Sequence, residues 1–376
     1  MAVIDKALLL KAQKLLVMSP FALGDFLYIK TFLEAVKQQY PHLQLDIWLD
    51  DDRNDKQVWR LARSHIMQQW IEAEPAFGKA WGCCASVSEQ QRQIYAATEA
   101  AYDIVVTIPG SIGRHYIDIA RNIAPAAYLV CGVSKSRWAK WFGFWYYQQA
   151  DAVFEHDISQ LASDHHITDR YYQWAHSIFG IVLEKPHFLP KLTPDKHFIE
   201  DAKTWIRVHF IGQHGPLFFL NHLSTNHRRD WQLSQLFALI IRLEQRQPGR
   251  YIINITSEHF DSMQQQIATL PSQLQQRIAL FTVKGHFYEL PALIAQCHLV
   301  ITVETAIMHF ATEAHIPLVA MMRQKKPYWA PLQSATSRVL FANRGKGYVC
   351  DITVDEVYDS CDNVLKHLDS ATQSGT

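Results

Sequence analysis

The stretch CHLVITVETAIMHFATEAHIPLVAMM, residues 297–322, holds two apolar strand-like runs with a short amphipathic segment between them. The first run covers residues 299–303 and the second covers 316–321. We expect a short helix to begin at Glu304 and Thr305, which places His309 on the same helical face as Thr305. A strand, a helix and a second strand form the crossover unit of a parallel sheet, so this stretch predicts an α/β fold.

The same alternation extends outward through both halves of the chain. Each apolar run is followed by a segment of helical periodicity, as in the helix that would place Ile29, Phe32, Leu33 and Val36 on one face. Such alternation is typical of parallel sheets covered by helices on both sides. The other predicted strands cover residues 14–18, 43–49, 102–108, 216–220, 251–256 and 279–283.

The length of 376 residues exceeds one ordinary domain. A proline-rich, charged segment at residues 184–194 is typical of a linker, so we predict one domain over 1–185 and a second over 186–350. Residues 351–376 contain a helix candidate that could cross back to the first domain, which the sequence alone does not decide. In open α/β sheets ligands bind beyond the carboxyl ends of the strands.

Charge and cysteine usage exclude several classes of protein. The 36 basic and 36 acidic residues cancel, so the whole molecule has no strong attraction for nucleic acid, and an anionic ligand must be bound by local patches. We expect a cytoplasmic protein, because the N-terminus does not resemble a signal peptide and no apolar run is long enough to span a membrane. The six cysteines form no CxxC pair, and the 19 histidines no HExxH motif, so no metal site is expected.

A polar loop follows a predicted strand in FFLNHLSTNHRRDW, residues 218–231. When a strand, a loop and a helix follow in this order, the backbone N–H groups at the helix N-terminus point towards a ligand bound on the loop. Ser224 and Thr225 add hydroxyl donors, and the Arg229 guanidinium can fork onto phosphate oxygens. The segment predicts a diphosphate site. The alternative is that Ser224 or Thr225 only shapes a turn and that the Arg229 side chain is solvated.

Two glutamates follow other predicted strands of the second half. A carboxylate is repelled by a pyrophosphate, so Glu258 and Glu304 are better suited to sugar hydroxyls or to helix capping. Both roles remain open for each residue.

Three motifs resemble the signature regions of glycosyltransferase family 9, the heptosyltransferases of lipopolysaccharide assembly. They are Gly24-Asp25 after the first strand, Arg229-Asp230-Trp231, and VITVETAIMHFA at 300–311. The resemblance implies a GT-B architecture, in which two Rossmann-like domains face each other across a cleft, with the acceptor on the first and the nucleotide-sugar on the second. It also implies an inverting transfer from ADP-heptose to an inner-core sugar on lipid A, with no metal and no cofactor.

The resemblance assigns roles to particular residues. Asp25 falls on the family's proposed general base, and Gly24 beside it allows close approach to sugars. Arg229 replaces a phosphate-binding lysine of many members, and Glu258 falls on a ribose-binding position. The donor segment contains Thr305, Ala306 and His309. An aspartate at a helix entrance is also a common capping residue, and that alternative remains for Asp25.

This chain departs from the family at the donor segment. The family usually has Asp-Thr-Gly where this chain has Glu304-Thr305-Ala306. A longer carboxylate and an added methyl group change how a donor fits. The alternatives are therefore a member that uses another nucleotide-sugar, or a non-catalytic scaffold that binds one. A Rossmann dehydrogenase ranks third because no GxGxxG follows a strand.

An anionic acceptor would need cations on the first domain. Arg114 follows a predicted strand, and Arg121 matches an arginine of family acceptor sites. Lys140 lies in a segment, residues 135–147, that interleaves basic and aromatic residues. Such a segment is consistent with a helix that lies on the surface of the inner membrane and meets a lipid-linked acceptor. It is equally consistent with a helix that packs its aromatic side chains into the core.

Overall fold

The computed structural model describes residues 2–19, 21–49, 58–108, 113–134, 147–184, 191–331, 333–343 and 347–374. The chain divides into two compact units, Met1–Pro190 and Lys191–Thr376. The linker predicted at 184–194 surrounds the point of division, and most of it lies outside the described residues.

The first unit is built on a six-stranded parallel sheet with the order β3-β2-β1-β4-β5-β6. Its strands are β1 (Lys14–Met18), β2 (Gln44–Trp48), β3 (Ala80–Trp81), β4 (Ile104–Thr107), β5 (Tyr128–Ser134) and β6 (Ala152–His156). Its helices are α1 (Lys6–Lys11), α2 (Leu23–Gln39), α3 (Val58–Ala73), α4 (Val87–Thr98), α5 (Gly113–Ile123) and α6 (Ile167–Phe179).

The second unit contains another six-stranded parallel sheet, ordered β12-β11-β10-β7-β8-β9. Its strands are β7 (Leu217–Asn221), β8 (Arg250–Asn254), β9 (Ile278–Phe281), β10 (Leu299–Val303), β11 (Leu318–Met322) and β12 (Ser337–Phe341). Its helices are α7 (Lys196–His209), α8 (Leu233–Arg246), α9 (Phe260–Ile267), α10 (Ser272–Gln275), α11 (Glu289–Ile294), α12 (Ala306–Glu313) and α13 (Val354–Ser374).

Both sheets form because their strands are apolar on both faces. Every residue of β7, β10 and β11 is buried, as expected where helices cover a parallel sheet on both sides. The predicted α/β fold with two parallel sheets is confirmed. Four strands were not predicted: β3 is only two residues long, β6 and β12 lack a distinct apolar run, and the apolar run of β5 was missed.

The two sheets share one topology, because in each the first and fourth strands of the unit are neighbours. These neighbours are β1 with β4 and β7 with β10, and the strand order reverses between them. The loops that leave such a pair diverge and open a crevice at the carboxyl ends of the strands. The fold therefore places a crevice within each unit, and Asp25 follows β1 whereas Arg229 follows β7.

The C-terminal helix α13 packs on the second unit, against α8 and the strands β11 and β12. Arg246 of α8 donates to Asp362 at 2.7 Å and to Asp369 at 3.0 Å, both on α13. Among the described residues, no helix has the length and the apolar character needed to cross a membrane.

Candidate functional site

Asp25 lies in the first turn of α2, at the crevice of the first unit. Its Oδ2 accepts a hydrogen bond from the backbone N–H of Ala22 at 3.3 Å, which is a capping contact. Positive potential at a helix N-terminus favours the ionised form of a carboxylate. Gly24 precedes it within the same turn. The structure thus shows the capping role of Asp25 and leaves its role as a base as a prediction.

Tyr171 of α6 is a second partner of Asp25 that the sequence did not indicate. Its hydroxyl donates to Asp25 Oδ1 at 3.4 Å, and its ring stacks against Tyr28 of α2. Burial, and next the Asp25 carboxylate, raise the pKa of Tyr171 well above its usual value. Tyr171 therefore stays protonated and acts as a donor towards the carboxylate.

The predicted acceptor cations differ in their surroundings. Arg121 donates to the backbone oxygens of Gln149, Pro125 and Ala127 and to the Asp151 carboxylate. These partners lie just before β5 and β6, at the amino edge of the sheet, opposite to the edge where ligands bind. We therefore leave Arg121 out of the proposed site.

The other two acceptor cations have no described side-chain contacts. Arg114 lies in the first turn of α5, after β4, and its side chain is outside the described part of the structure. Lys140 is outside the described residues altogether. Both remain predictions.

The loop after β7 organises itself through Ser224 and Asp230. The backbone N–H of Ser224 donates to Asp230 Oδ1 at 2.6 Å, and the Ser224 hydroxyl lies 2.9 Å from the same oxygen and 2.8 Å from the Asn226 carbonyl. Thr225 beside it is exposed. Ser224 therefore shapes the turn, and Thr225 presents its hydroxyl to solvent.

Arg229 ends the short 3-10 turn His227–Arg229 of this loop. Its Nη1 lies 3.7 Å from Oε1 of Glu304, which directly follows β10. The structure thus brings two predicted donor residues into one ion pair. Because a carboxylate repels a diphosphate, the negative charge of Glu304 partly offsets the attraction of Arg229 for an anion.

Thr305 lies at the start of α12, and His309 lies on the buried side of this helix. Thr305 is the N-cap, and its Oγ1 accepts from the Ile307 N–H at 3.4 Å. Ala306 is the first residue of the helix. His309 is buried, and its ring centroid lies 5.7 Å from that of Trp329. The helix N-terminus is thus formed and capped where an anion would bind.

A buried polar network joins three strand ends in the second unit, and the sequence did not reveal it. Asn221 Nδ2 lies within 3.3 Å of Thr302 Oγ1, Thr305 Oγ1 and the Leu223 carbonyl. Asn254 donates to Asn221 Oδ1 at 3.0 Å. Hydrogen-bonded networks of this kind rigidify their surroundings. The sequence signal that could have revealed this network is the presence of polar residues at the ends of otherwise apolar strands.

Glu258 follows β8, the neighbour of β7, in the 3-10 turn Ser257–His259. Its side chain is 76% exposed and lies 3.4 Å from the hydroxyl of Thr256. The carboxylate is therefore accessible to a ligand. Within the described ranges, no group of three or more His, Cys, Asp or Glu side chains is arranged to hold a metal ion.

His222 lies at the base of the loop after β7 and is buried. Burial lowers its pKa to about 4, against a raising effect of Asp230. In the first unit, burial likewise lowers the pKa of His156 to about 4. Both imidazoles are therefore neutral in the folded protein at neutral pH.

We predict that acid weakens the fold through these two histidines. Between pH 6.5 and pH 4 the unfolded chain binds protons that the folded chain excludes, so the free energy of unfolding falls as the pH falls. The loss should reach on the order of 2–3 kcal/mol per histidine by pH 4. Urea unfolding at a series of pH values measures it. His222→Asn should reduce the slope of the free energy of unfolding against pH, and an unchanged slope in this variant would refute the prediction.

Comparison with known proteins agrees with this geometry. The sequence model of glycosyltransferase family 9 (heptosyltransferase) matches residues 137–350. The structure of the E. coli ADP-heptose lps heptosyltransferase II is similar, with a TM-score of 0.70 at 17% identity, covering 95% of this chain and 99% of that one. A family 9 glycosyltransferase from Veillonella parvula DSM 2008 has a TM-score of 0.70 at 16% identity, with coverages of 94% and 98%.

A third similar structure is the E. coli heptosyltransferase WaaC with ADP, with a TM-score of 0.63 at 14% identity, covering 93% of this chain and 99% of that one. No curated protein sequence matches the chain. The fold is that of the GT-B class of glycosyltransferases. The chain belongs to glycosyltransferase family 9, as the motifs around Asp25, Arg229 and Thr305 predicted.

Proposed function

We propose that the protein transfers heptose from ADP-heptose to a sugar of the lipopolysaccharide inner core, with inversion at the anomeric carbon and without a metal ion. The observation that carries this proposal is the family match over residues 137–350, which contains Arg229, Glu258 and the 304–309 segment. Two similar structures are described as heptosyltransferases, one of them with ADP.

On the donor side, we assign the diphosphate to the carboxyl edge of β7 and β10. Arg229, the N-terminus of α12 and the Thr305 hydroxyl surround this edge. Fixed positive charge and backbone N–H groups can stabilise the leaving diphosphate, a role that Mg²⁺ fills in other glycosyl transfers. Glu258 would accept hydrogen bonds from the ribose, because its carboxylate is exposed after the neighbouring strand β8.

On the acceptor side, we assign the general base to Asp25. An acceptor hydroxyl oxygen forms the new bond to the anomeric carbon, its proton passes to the Asp25 carboxylate, and the bond from that carbon to the diphosphate oxygen breaks. The helix N-terminus and the Tyr171 hydroxyl favour the ionised carboxylate, which is the form that can accept a proton.

The acceptor would be a core oligosaccharide linked to lipid A. The reaction would then take place at the cytoplasmic face of the inner membrane, with peripheral contact and without nucleic acid. Arg114 and Lys140 remain the proposed contacts for acceptor phosphates.

A different nucleotide-sugar is the second candidate donor. It is favoured by Glu304, whose carboxylate pairs with Arg229, and by the methyl group of Ala306 at the first position of α12. Either change alters the space and charge offered to the donor sugar.

Binding of nucleoside diphosphates tests the proposal. ADP should raise the melting temperature more than UDP or GDP do, because the proposed donor carries ADP and the nucleotide with the lowest Kd stabilises the folded state most. A ligand that binds only the folded state stabilises it by about 2.7 kcal/mol at 100 times its Kd. For a protein of this size that corresponds to several degrees, on the order of 2–4 °C per kcal/mol. Differential scanning fluorimetry measures the shift.

Other outcomes of this test separate the alternatives. A larger shift with UDP would exclude ADP-heptose as the donor and favour the second candidate. Binding of ADP-heptose without turnover on any core acceptor would identify a non-catalytic scaffold.

A further inference from the structure

Glu304 contacts two arginines at the carboxyl edge of the second sheet. Its Oε1 lies 3.7 Å from Arg229 Nη1, and its Oε2 accepts a hydrogen bond from the backbone N–H of Arg323 at 3.3 Å. Arg323 directly follows β11, which pairs with β10 on the side away from β7. One carboxylate thus joins the loops that leave three adjacent strands.

The side chain of Arg323 is bonded to the segment that follows β12. Its Nε donates to the carbonyl of Gly347 at 2.9 Å. The next residue, Tyr348, lies with its ring centroid 6.3 Å from that of His227, and the Arg228 guanidinium carbon is 5.9 Å from the same tyrosine ring. The Arg323 guanidinium is therefore anchored to the segment 347–348, whose Tyr348 contacts the turn His227–Arg229.

The terminal nitrogens of Arg323 are available to a ligand. Among the residues that the structure describes, its guanidinium makes one hydrogen bond, through Nε. The Arg229 guanidinium has the Glu304 ion pair as its described contact, and its side chain is 32% exposed. Two guanidinium groups with unused N–H donors thus belong to loops that the Glu304 carboxylate joins, one through an ion pair with Arg229 and the other through the backbone N–H of Arg323.

The charges at this edge do not balance. The loops that leave β7, β10 and β11 carry five positive charges, on Arg228, Arg229, Arg323, Lys325 and Lys326, and two negative charges, on Asp230 and Glu304. An arginine paired with a glutamate alone would be nearly neutral, whereas the second arginine leaves an excess of positive charge. Guanidinium groups bind phosphate oxygens through paired N–H donors, so the excess suits a diphosphate.

We infer that Arg323 is a second diphosphate-binding residue of the donor site, and that Glu304 is the counter-ion of Arg229 and also fixes the backbone at Arg323. This inference rests on the proposed function, because it takes the ligand to be the diphosphate of a nucleotide-sugar. Glu304 pairs with the Arg229 guanidinium and accepts from the Arg323 backbone N–H, so it joins the two loops that carry the guanidinium groups in the ligand-free protein. The diphosphate then bridges them, and Glu304 opposes its binding by charge repulsion.

Calorimetric titration with ADP and with inorganic pyrophosphate tests the role of Arg323. Arg323→Gln should weaken both ligands about tenfold, because a charge-assisted contact is lost. Arg338→Gln is the matched control, since Arg338 is exposed on the neighbouring strand β12 and near its amino end. Arg323→Lys should recover part of the affinity, because the positive charge is retained.

The outcomes separate this inference from the proposed function. If the wild type binds ADP or pyrophosphate and Arg323→Gln binds them equally well, the inference falls and the proposed function stands. If the wild type binds neither these ligands nor UDP and GDP, both fall. Thermal unfolding of each variant shows whether a loss of affinity reflects a loss of folded protein.

A second variant tests the role of Glu304. Glu304→Gln keeps the shape and hydrogen-bonding capacity of the side chain but removes its charge, so pyrophosphate should bind severalfold more tightly. The gain should shrink as ionic strength rises, because salt screens the repulsion. Weaker binding in Glu304→Gln would show that this carboxylate is not the opposing counter-ion.

Discussion

The substitution Asp25→Asn should reduce the rate of sugar transfer by two to four orders of magnitude while nucleotide affinity stays unchanged. A general base contributes a factor of about 10²–10⁴, and asparagine has nearly the same shape as aspartate but does not take up the proton. The amide oxygen can still accept the Ala22 N–H, so the first turn of α2 should survive. Transfer is measured with radiolabelled donor, and affinity by calorimetry.

Asp169 provides the matched control for this experiment. It occupies the same position in the first turn of α6, where its Oδ2 accepts from the His166 N–H at 2.8 Å. Asp169→Asn therefore removes a comparable capping charge from the same unit. Equal losses of transfer in both variants would contradict a specific role for Asp25 as the base. Undiminished turnover in Asp25→Asn would exclude it as the base.

The substitution Lys30→Ala should destabilise the first unit by about 3–5 kcal/mol. Lys30 and Glu74 are both buried, and Lys30 Nζ lies 3.0 Å from Glu74 Oε2. Trp70 Nε1 donates to the other Glu74 oxygen at 2.8 Å, and Glu34 also binds Lys30. Removal of the ammonium group would leave a buried carboxylate without its charge partner. The free energy of urea unfolding measures the loss.

A double variant and an exposed pair serve as controls. Lys30→Met combined with Glu74→Gln removes both charges and keeps an acceptor for Trp70, so it should cost less than Lys30→Ala alone. Lys203 and Glu200 form an exposed pair, and Lys203→Met should leave stability unchanged. If Lys30→Ala behaves like Lys203→Met, the buried pair contributes nothing to stability.

The buried pair also bears on the site, because α2 carries both Lys30 and Asp25. Lys30 ties the helix to Glu74, just beyond the end of α3. A loosened α2 would also loosen the carboxylate at its N-terminus. The sequence did not single out Lys30, since a lysine in an amphipathic helix is normally solvated.

Some site residues were predictable because their position follows from the chain order alone. Asp25, Arg229, Glu258 and Glu304 each follow an apolar strand, and parallel strands all end at the same edge of a sheet. Arg121 could not be placed in this way. It lies at the end of a helix that returns to the amino edge, and only its contacts with Ala127 and with residues before β6 reveal this.

The sequence by itself determined the two parallel sheets, their place along the chain and the polar residues that end their strands. It could do so because burial of a strand on both faces and the periodicity of a helix are local properties of a few neighbouring residues. Tertiary structure decided which of these residues meet. Tyr171 reaches Asp25 across 146 positions, and Glu304 joins Arg229 to Arg323, because strand order brings distant loops together and no local pattern encodes that order.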